Sequence, residues 1–242
     1  KGLKPLAPLF ASRFSRFSPF GNLPYSDCVM LLFLLALYLF LPQSLGSHEL
    51  INRVSEKYGR LNSLSAEFEQ ISTSNFSNQS GRSRGHVSLK TGKRALFEYD
   101  SPVKKYDYFD GKNYTVYTPA FNQATKCPIS KAIDDRLVIF LILGNRESPW
   151  RDQFPTMTEG KDSPVMNRGN RLVKLIPRNK DIPEVEIEVD PVSFLIHRFV
   201  LSRMDGYREE FKFTKIETAP LPDSLFKFTA SPDVDVVESK AC

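Results

Sequence analysis

Residues 94–119 read Arg94-ALFEYDSPVKKYDYFDGKNYTVYT-Pro119, and their pattern decides the fold. Three short runs, Arg94–Asp100, Lys104–Asp110 and Asn113–Thr118, are rich in aromatic and β-branched residues, and turn residues separate them. Alternation of apolar and polar positions is the mark of a strand, because successive side chains point to opposite faces. Asp110-Gly111 between the second and third runs is a hairpin signal, since both residues tolerate the positive φ of a tight turn. The stretch therefore predicts an antiparallel meander. Aromatic residues fall on both alternating faces, although a sheet with one solvated side needs only one apolar face. The second face requires an explanation.

The same period extends outward in both directions. Before the meander it predicts strands near Ala66–Thr73 and His86–Lys90, with connectors containing Gly81, Gly85 and Gly92. After it come predicted strands near Gln153–Thr158, Arg171–Pro177, Glu184–Asp190, Leu195–Met204 and Tyr207–Glu217, a hairpin signal at Asp205-Gly206, and a short last strand near Val234–Val237. Two segments follow a helical period instead. In Ser47–Arg60, Leu50, Val54 and Tyr58 recur every four residues with Ile51 beside them, and Gly59 lies near the end. Ala132–Leu143, AIDDRLVIFLIL, is too long for one strand and its end is apolar nearly all round, so it reads as a helix that wants cover. Gly160, Asp162, Pro164 and Gly169 mark an exposed turn. This inventory predicts one mainly β domain over residues 47–242, of about ten or eleven strands. Its apolar face is covered either as a filled core or as a partly open cavity.

The first 46 residues differ. Lys1, Lys4, Arg13 and Arg16 against Asp27 precede an uncharged run, Val29–Leu41, and Ser44 and Gly46 would stand at −3 and −1 of a cut before Ser47. A basic segment, a short apolar run and small residues form the arrangement of an export signal. The run is short of the ~20 residues that span a bilayer as a helix; the alternative is an uncleaved anchor. Of the net charge of +5, the leader carries +3. The remainder lacks the dense basic face of a nucleic-acid binder.

Candidate chemistry is sparse. Gly81-Arg82-Ser83-Arg84-Gly85 matches the Gly-x-Ser-x-Gly of hydrolase elbows, but a strand must precede the Ser and a helix follow it. Here a strand-like HVSLK follows, so a polar hairpin loop is the better reading. The three histidines and three cysteines show no metal-ligand spacing, so no catalytic residue, metal or cofactor is expected. The spacing of Cys127 and Cys242 does not decide whether they pair, and the default is no structural disulfide. The acidic residues of VEIEVD read as a solvated face.

In order, an N-terminal helix leading into LNSLSAEFEQ, then LKTGKRALFEYDSP, YFDGKNYTVYTPAFNQATK, LILG, and the closing DGYREEFKFTKIETAPLPDSLFKFTASPDVDVVE resemble the periplasmic lipoprotein carrier family, LolA. The resemblance runs over roughly residues 49–238. It implies an incomplete antiparallel β-barrel with helices forming a lid over an apolar cavity, and no enzymatic activity. It also implies acylated lipoproteins as cargo, an inner-membrane lipoprotein-releasing transporter and an outer-membrane receptor as partners, a periplasmic setting and a monomer. On this reading the acyl cavity takes Phe97, Tyr99, Tyr114 or Val116, and Phe211 or Phe213 according to register, while Leu137, Phe140 and Leu141 belong to the lid. The family's lid-latch Arg falls on Thr91 and its Trp on Phe97, leaving Arg94 as the substitute latch candidate. Carriage of another lipid, or an envelope scaffold reusing the same fold, are the alternatives.

Overall fold

The computed structural model describes residues 46–74, 79–91, 93–131, 154–160, 164–178, 183–240 and 242. One α-helix, α1 (Ser47–Arg60), opens the described chain. Twelve strands follow, the first six being β1 (Ser63–Ser74), β2 (Gln79–Lys90), β3 (Arg94–Ser101), β4 (Lys105–Asp110), β5 (Asn113–Thr118) and β6 (Gln123–Pro128). The others are β7 (Thr156–Glu159), β8 (Arg171–Ile176), β9 (Glu184–Val189), β10 (Ile196–Ser202), β11 (Tyr207–Glu217) and β12 (Asp235–Glu238). They form one open sheet in the order β12-β6-β5-β4-β3-β2-β1-β11-β10-β9-β8-β7. Two meanders, β1 to β6 and β7 to β11, are thus joined by pairing of β1 with β11.

Both Asp-Gly signals close hairpins. Asp110 accepts hydrogen bonds from the N–H groups of Lys112 and Asn113, and Gly111 takes the positive φ (95°) that a side chain would resist. Burial works to raise the Asp110 pKa, but these backbone donors and the Asn113 amide outweigh it and hold the carboxyl below its usual range. Gly206 (φ 79°) does the same service between β10 and β11.

Several expectations need correction. There are twelve strands among the described residues, not ten or eleven. The sheet is mixed, because β12 runs parallel to β6. β6 escaped the pattern because Gln-Ala-Thr-Lys-Cys has small and polar residues where the other strands have large apolar ones. Residues 81–85 are no loop: they lie inside β2, with Ser83 opposite Gln70 and Gly85 opposite Phe68. A Cβ on Gly85 would stand 1.8 Å from the Glu98 carbonyl oxygen, so glycine there serves close approach of β3. Cys127 and Cys242 are bonded, tying the last residue to β6. The proposed lid helix, with Leu137, Phe140 and Leu141, lies outside the described residues.

Glu186 and Glu188 of β9 are not solvated. Glu188 is wholly buried and Glu186 nearly so, on the face opposite Ile187. The guanidinium of Arg198 on the neighbouring β10, itself buried, lies 3.0 Å from Glu186, 3.5 Å from Glu210 and 3.7 Å from Glu188. Residues 164–170 lie over this group. Glu188 accepts from the N–H groups of Met166 and Asn167 and from the Asn170 amide, and the Pro164 carbonyl accepts from Arg198. Reading alternation alone misses this, because a polar face can be covered by a loop whose free N–H groups need acceptors.

The register resolves the two aromatic faces. Call inner the face that shares a core with Leu50, Ile51, Val54 and Tyr58 of α1. It carries Ala95, Phe97 and Tyr99, with Phe109 of β4 and Tyr114 and Val116 of β5. The outer face carries Leu96, Tyr106, Tyr108 and Tyr117. It is covered by the segment that follows β11. There Phe226 is fully buried, and Phe228 meets the rings of Tyr108 and Tyr117 at 5.5 and 5.2 Å. Ser63 fixes the start of this strap, donating to the Ala219 carbonyl and accepting from the Leu221 N–H. The second aromatic face in residues 94–119 is therefore the seat of the C-terminal strap.

Candidate functional site

The inner face holds the candidate site. α1 is amphipathic at a period of four, and its stripe of Leu50, Ile51, Val54 and Tyr58 is buried against the sheet. Only Leu61 and Asn62 separate α1 from β1, so its C-terminal end is tightly tethered. There the Tyr58 hydroxyl accepts a hydrogen bond (3.0 Å) from the N–H of Ile196, the first residue of β10. Burial raises the Tyr58 pKa well above the usual tyrosine range, since the phenolate would have to form away from water.

The six described cavity candidates share this face, and they lie in one aromatic cluster. Phe97 is 6.2 Å from both Phe109 and Phe211, ring centre to ring centre. Phe68 stands edge-on to Phe97 at 5.8 Å and to Tyr99 at 5.1 Å. Tyr114 stacks on Phe109 at 4.5 Å, and Phe213 on Phe211 at 6.3 Å. Val116 packs against the same core. In β5 and β11 both alternatives of each register choice are inner, because they are two residues apart. Phe97, Tyr99, Tyr114 and Phe211 are buried, whereas Val116 and Phe213 keep partial exposure.

Arg94 is elsewhere. It lies on the outer face, and its guanidinium is 2.7 Å from Asp223 of the strap, which Lys90 also holds at 2.6 Å. Hydrogen bonds from Lys90 and Arg94 hold the Asp223 carboxyl below its usual pKa. Arg94 thus binds the strap on the face opposite Phe97.

A cleft opens beside the aromatic cluster, between the C-terminal end of α1 and the centre of the sheet. Tyr58 closes it on the helix side; Leu64 of β1 and Val87 and Leu89 of β2 form one wall. Ile196 and Phe199 of β10 and Phe213 and Ile216 of β11 form the other. Its empty space is about 360 Å³ including the part open to solvent. The enclosed part has room for only about one or two waters. Among the described residues, the Tyr58 hydroxyl is the only polar side-chain group in the lining. Of the described residues picked from sequence, only Phe213 lines this cleft. Leu64, Val87 and Phe199 sit on apolar positions of strands, but alternation does not say which stretch of an apolar face is left unfilled.

Polar pairs interrupt the inner face away from the cleft. Asp107, buried opposite Phe97, is 3.0 Å from the Lys105 ammonium, which lies over the Tyr99 ring at 4.4 Å. Gln70 donates to Glu209, which also accepts from the Tyr207 hydroxyl. Among the described residues no three His, Cys, Asp or Glu side chains gather as metal ligands.

A mainly β protein whose open sheet carries a helix-covered apolar cleft is the class that these features define. The chain belongs to the LolA family: residues 59–229 match the model for the outer membrane lipoprotein carrier protein LolA. It is 24% identical over 184 residues to the outer-membrane lipoprotein carrier protein of Haemophilus influenzae, covering 76% of this chain and 84% of the relative. It is also 24% identical over 213 residues to the carrier protein of Coxiella burnetii, covering 86% and 97%. Among solved structures, a LolA superfamily protein from Nitrosomonas europaea aligns with 76% of this chain and 99% of its own, at a TM-score of 0.42 and 9% identity. The carrier proteins of this family are non-enzymatic binding chaperones.

Proposed function

We propose that this protein binds the acyl chains of lipoproteins on its inner face and carries them through the periplasm, from an inner-membrane lipoprotein-releasing transporter to an outer-membrane receptor. The observation that carries this reading is the apolar cleft at the seam between α1 and the sheet, in a chain of the LolA family. An acyl chain of about sixteen carbons gains roughly 12 kcal/mol when fully buried, at ~0.8 kcal/mol per methylene, before ordering costs. The closed cleft is too small for such a chain, so a wall must move. α1 is the movable wall. Exposing Leu50, Ile51 and Val54 costs about 4.5–9 kcal/mol at ~1.5–3 kcal/mol each. The two amounts are of the same order, which suits a carrier that must release as well as bind.

The pivot is Leu61-Asn62, where the helix meets β1, so the N-terminal end of α1 swings while Tyr58 stays near the sheet. Phe97, Tyr99, Tyr114, Val116 and Phe211 then form the floor reached by a chain entering past Phe213. Residues 1–46 act as the export signal, with cleavage before Ser47; intact mass of the periplasmic protein tests that point. Depletion of the protein in its own bacterium tests the function. Outer-membrane lipoproteins are expected to accumulate in the inner membrane, and an unchanged distribution between the two membranes would overturn the proposal.

A further inference from the structure

Among the described residues, the cleft contains one hydrogen-bond donor that its walls do not use. The Tyr58 oxygen accepts from the Ile196 N–H, so the hydroxyl proton must point elsewhere, and no acceptor for it lies among the described residues. Tyr58 is 6% exposed, and every other side chain of the lining among the described residues is hydrocarbon. A buried hydroxyl without an acceptor is costly, and a ligand that offers one recovers that cost. Burial also raises the Tyr58 pKa, so the group keeps its proton throughout the physiological range.

Resting on the lipid-carrier reading above, we propose that Tyr58 donates a hydrogen bond to the carbonyl oxygen at the head of an acyl chain, so that the cleft selects acyl lipids over alkyl lipids of equal length. The donor is fixed for this role. The Ile196 N–H orients the phenolic oxygen, and the Leu61-Asn62 link keeps this end of α1 at the sheet when the other end moves. The hydrocarbon tail lies along Leu64, Val87, Phe199 and Phe213, and the carbonyl stops at Tyr58. The chain is thus held by its ester or amide linkage as well as by its length.

The test uses the full mature chain and two lysophospholipids that differ only at one position: 1-palmitoyl lysophosphatidylglycerol, which has the ester carbonyl, and its 1-hexadecyl ether counterpart. Each is titrated below its micelle concentration against an environment-sensitive fluorophore bound in the cleft, with wild type and Tyr58→Phe. Wild type is expected to prefer the ester by roughly three- to tenfold, the worth of one hydrogen bond. In Tyr58→Phe that preference disappears through weaker ester binding, while the ether binds as before. Equal affinity of wild type for both lipids overturns the inference, as does an equal loss of both in the variant; acyl-chain binding then stands without it. If the variant does not fold, the ester-to-ether ratio of wild type decides alone. Should neither lipid enter the wild-type cleft, the inference and the proposed function both fall.

Discussion

Replacing Arg198 by Met puts the buried charge cluster of the outer face to a quantitative test. The guanidinium is 3% exposed and stands within 4 Å of three carboxylates, those of Glu186, Glu188 and Glu210. Glu210 has other cations near it, Arg208 at 2.9 Å and Lys212 at 3.7 Å. Glu188 keeps its backbone donors from residues 166 and 167. Glu186 loses the guanidinium hydrogen bond that Arg198 supplied. Removing one partner of a buried ion pair costs about 3–5 kcal/mol, chiefly because the other charge stays buried. At ~2–4 °C per kcal/mol for a domain of this size, the melting temperature should fall by roughly 6–20 °C. Thermal unfolding followed by circular dichroism measures it. Hydrogen exchange should show lost protection at the amides of Met166 and Asn167, because their loop loses the bond that Arg198 donates to the Pro164 carbonyl. Adding Glu186→Leu to Arg198→Met should recover part of the loss, since it removes a buried charge. A fall below about 2 °C, with no change at Met166, would refute the reasoning and mean that water reaches these charges.

Other outcomes follow from the fold. Cys242→Ser, or reduction of the wild type, should cost about 2–5 kcal/mol of stability, because the Cys127 bond closes a loop spanning 115 positions; equal unfolding curves with and without reductant would contradict it. Asp223→Asn should loosen the strap and raise hydrogen exchange near Phe226. The Asp223 pKa is depressed in the fold, so its contribution is full above the ordinary Asp value of ~3.9 and fades as pH falls through the lower folded value. Strap protection measured down that range should therefore drop in wild type and not in the variant. Gly85→Ala should destabilise by roughly 3 kcal/mol or more, since the new Cβ collides with the Glu98 carbonyl and β2 must part from β3; denaturant unfolding reads this directly.

Where apolar alternation was strong, the sequence was legible. Phe97, Tyr99, Phe211 and Phe213 fall on the inner face, and β11 has the bounds that its pattern suggests. Both Asp-Gly turns were visible because turn geometry is local. The cover over each face was not. Arg198 and Glu188 are distant in sequence from residues 164–170, and only the paired strands bring them under that loop. β6 lacked the large residues that make a strand readable. The Cys127–Cys242 bond depends on β12 running back beside β6, which spacing cannot reveal. The site was legible as a face but not as a cleft. Phe97 proves to be packed among Phe68, Phe109 and Phe211, while the unfilled space lies toward Tyr58 and Phe199. Replacing Phe97 by Glu would thus set a carboxylate opposite buried Asp107 and break the core, so the partly exposed Leu89, on the cleft wall, is the better probe.

The central claim is that the cleft takes acyl chains. Purified protein is incubated with a mature triacylated lipoprotein and with the same polypeptide lacking its acyl chains, and the complex is isolated by gel filtration. Wild type should capture the acylated form alone. Leu89→Glu, folded by circular dichroism, should lose most of that capture, because an unpaired carboxylate against hydrocarbon costs several kcal/mol. Equal capture of the acylated and unacylated polypeptides, or full capture by Leu89→Glu, would contradict the account.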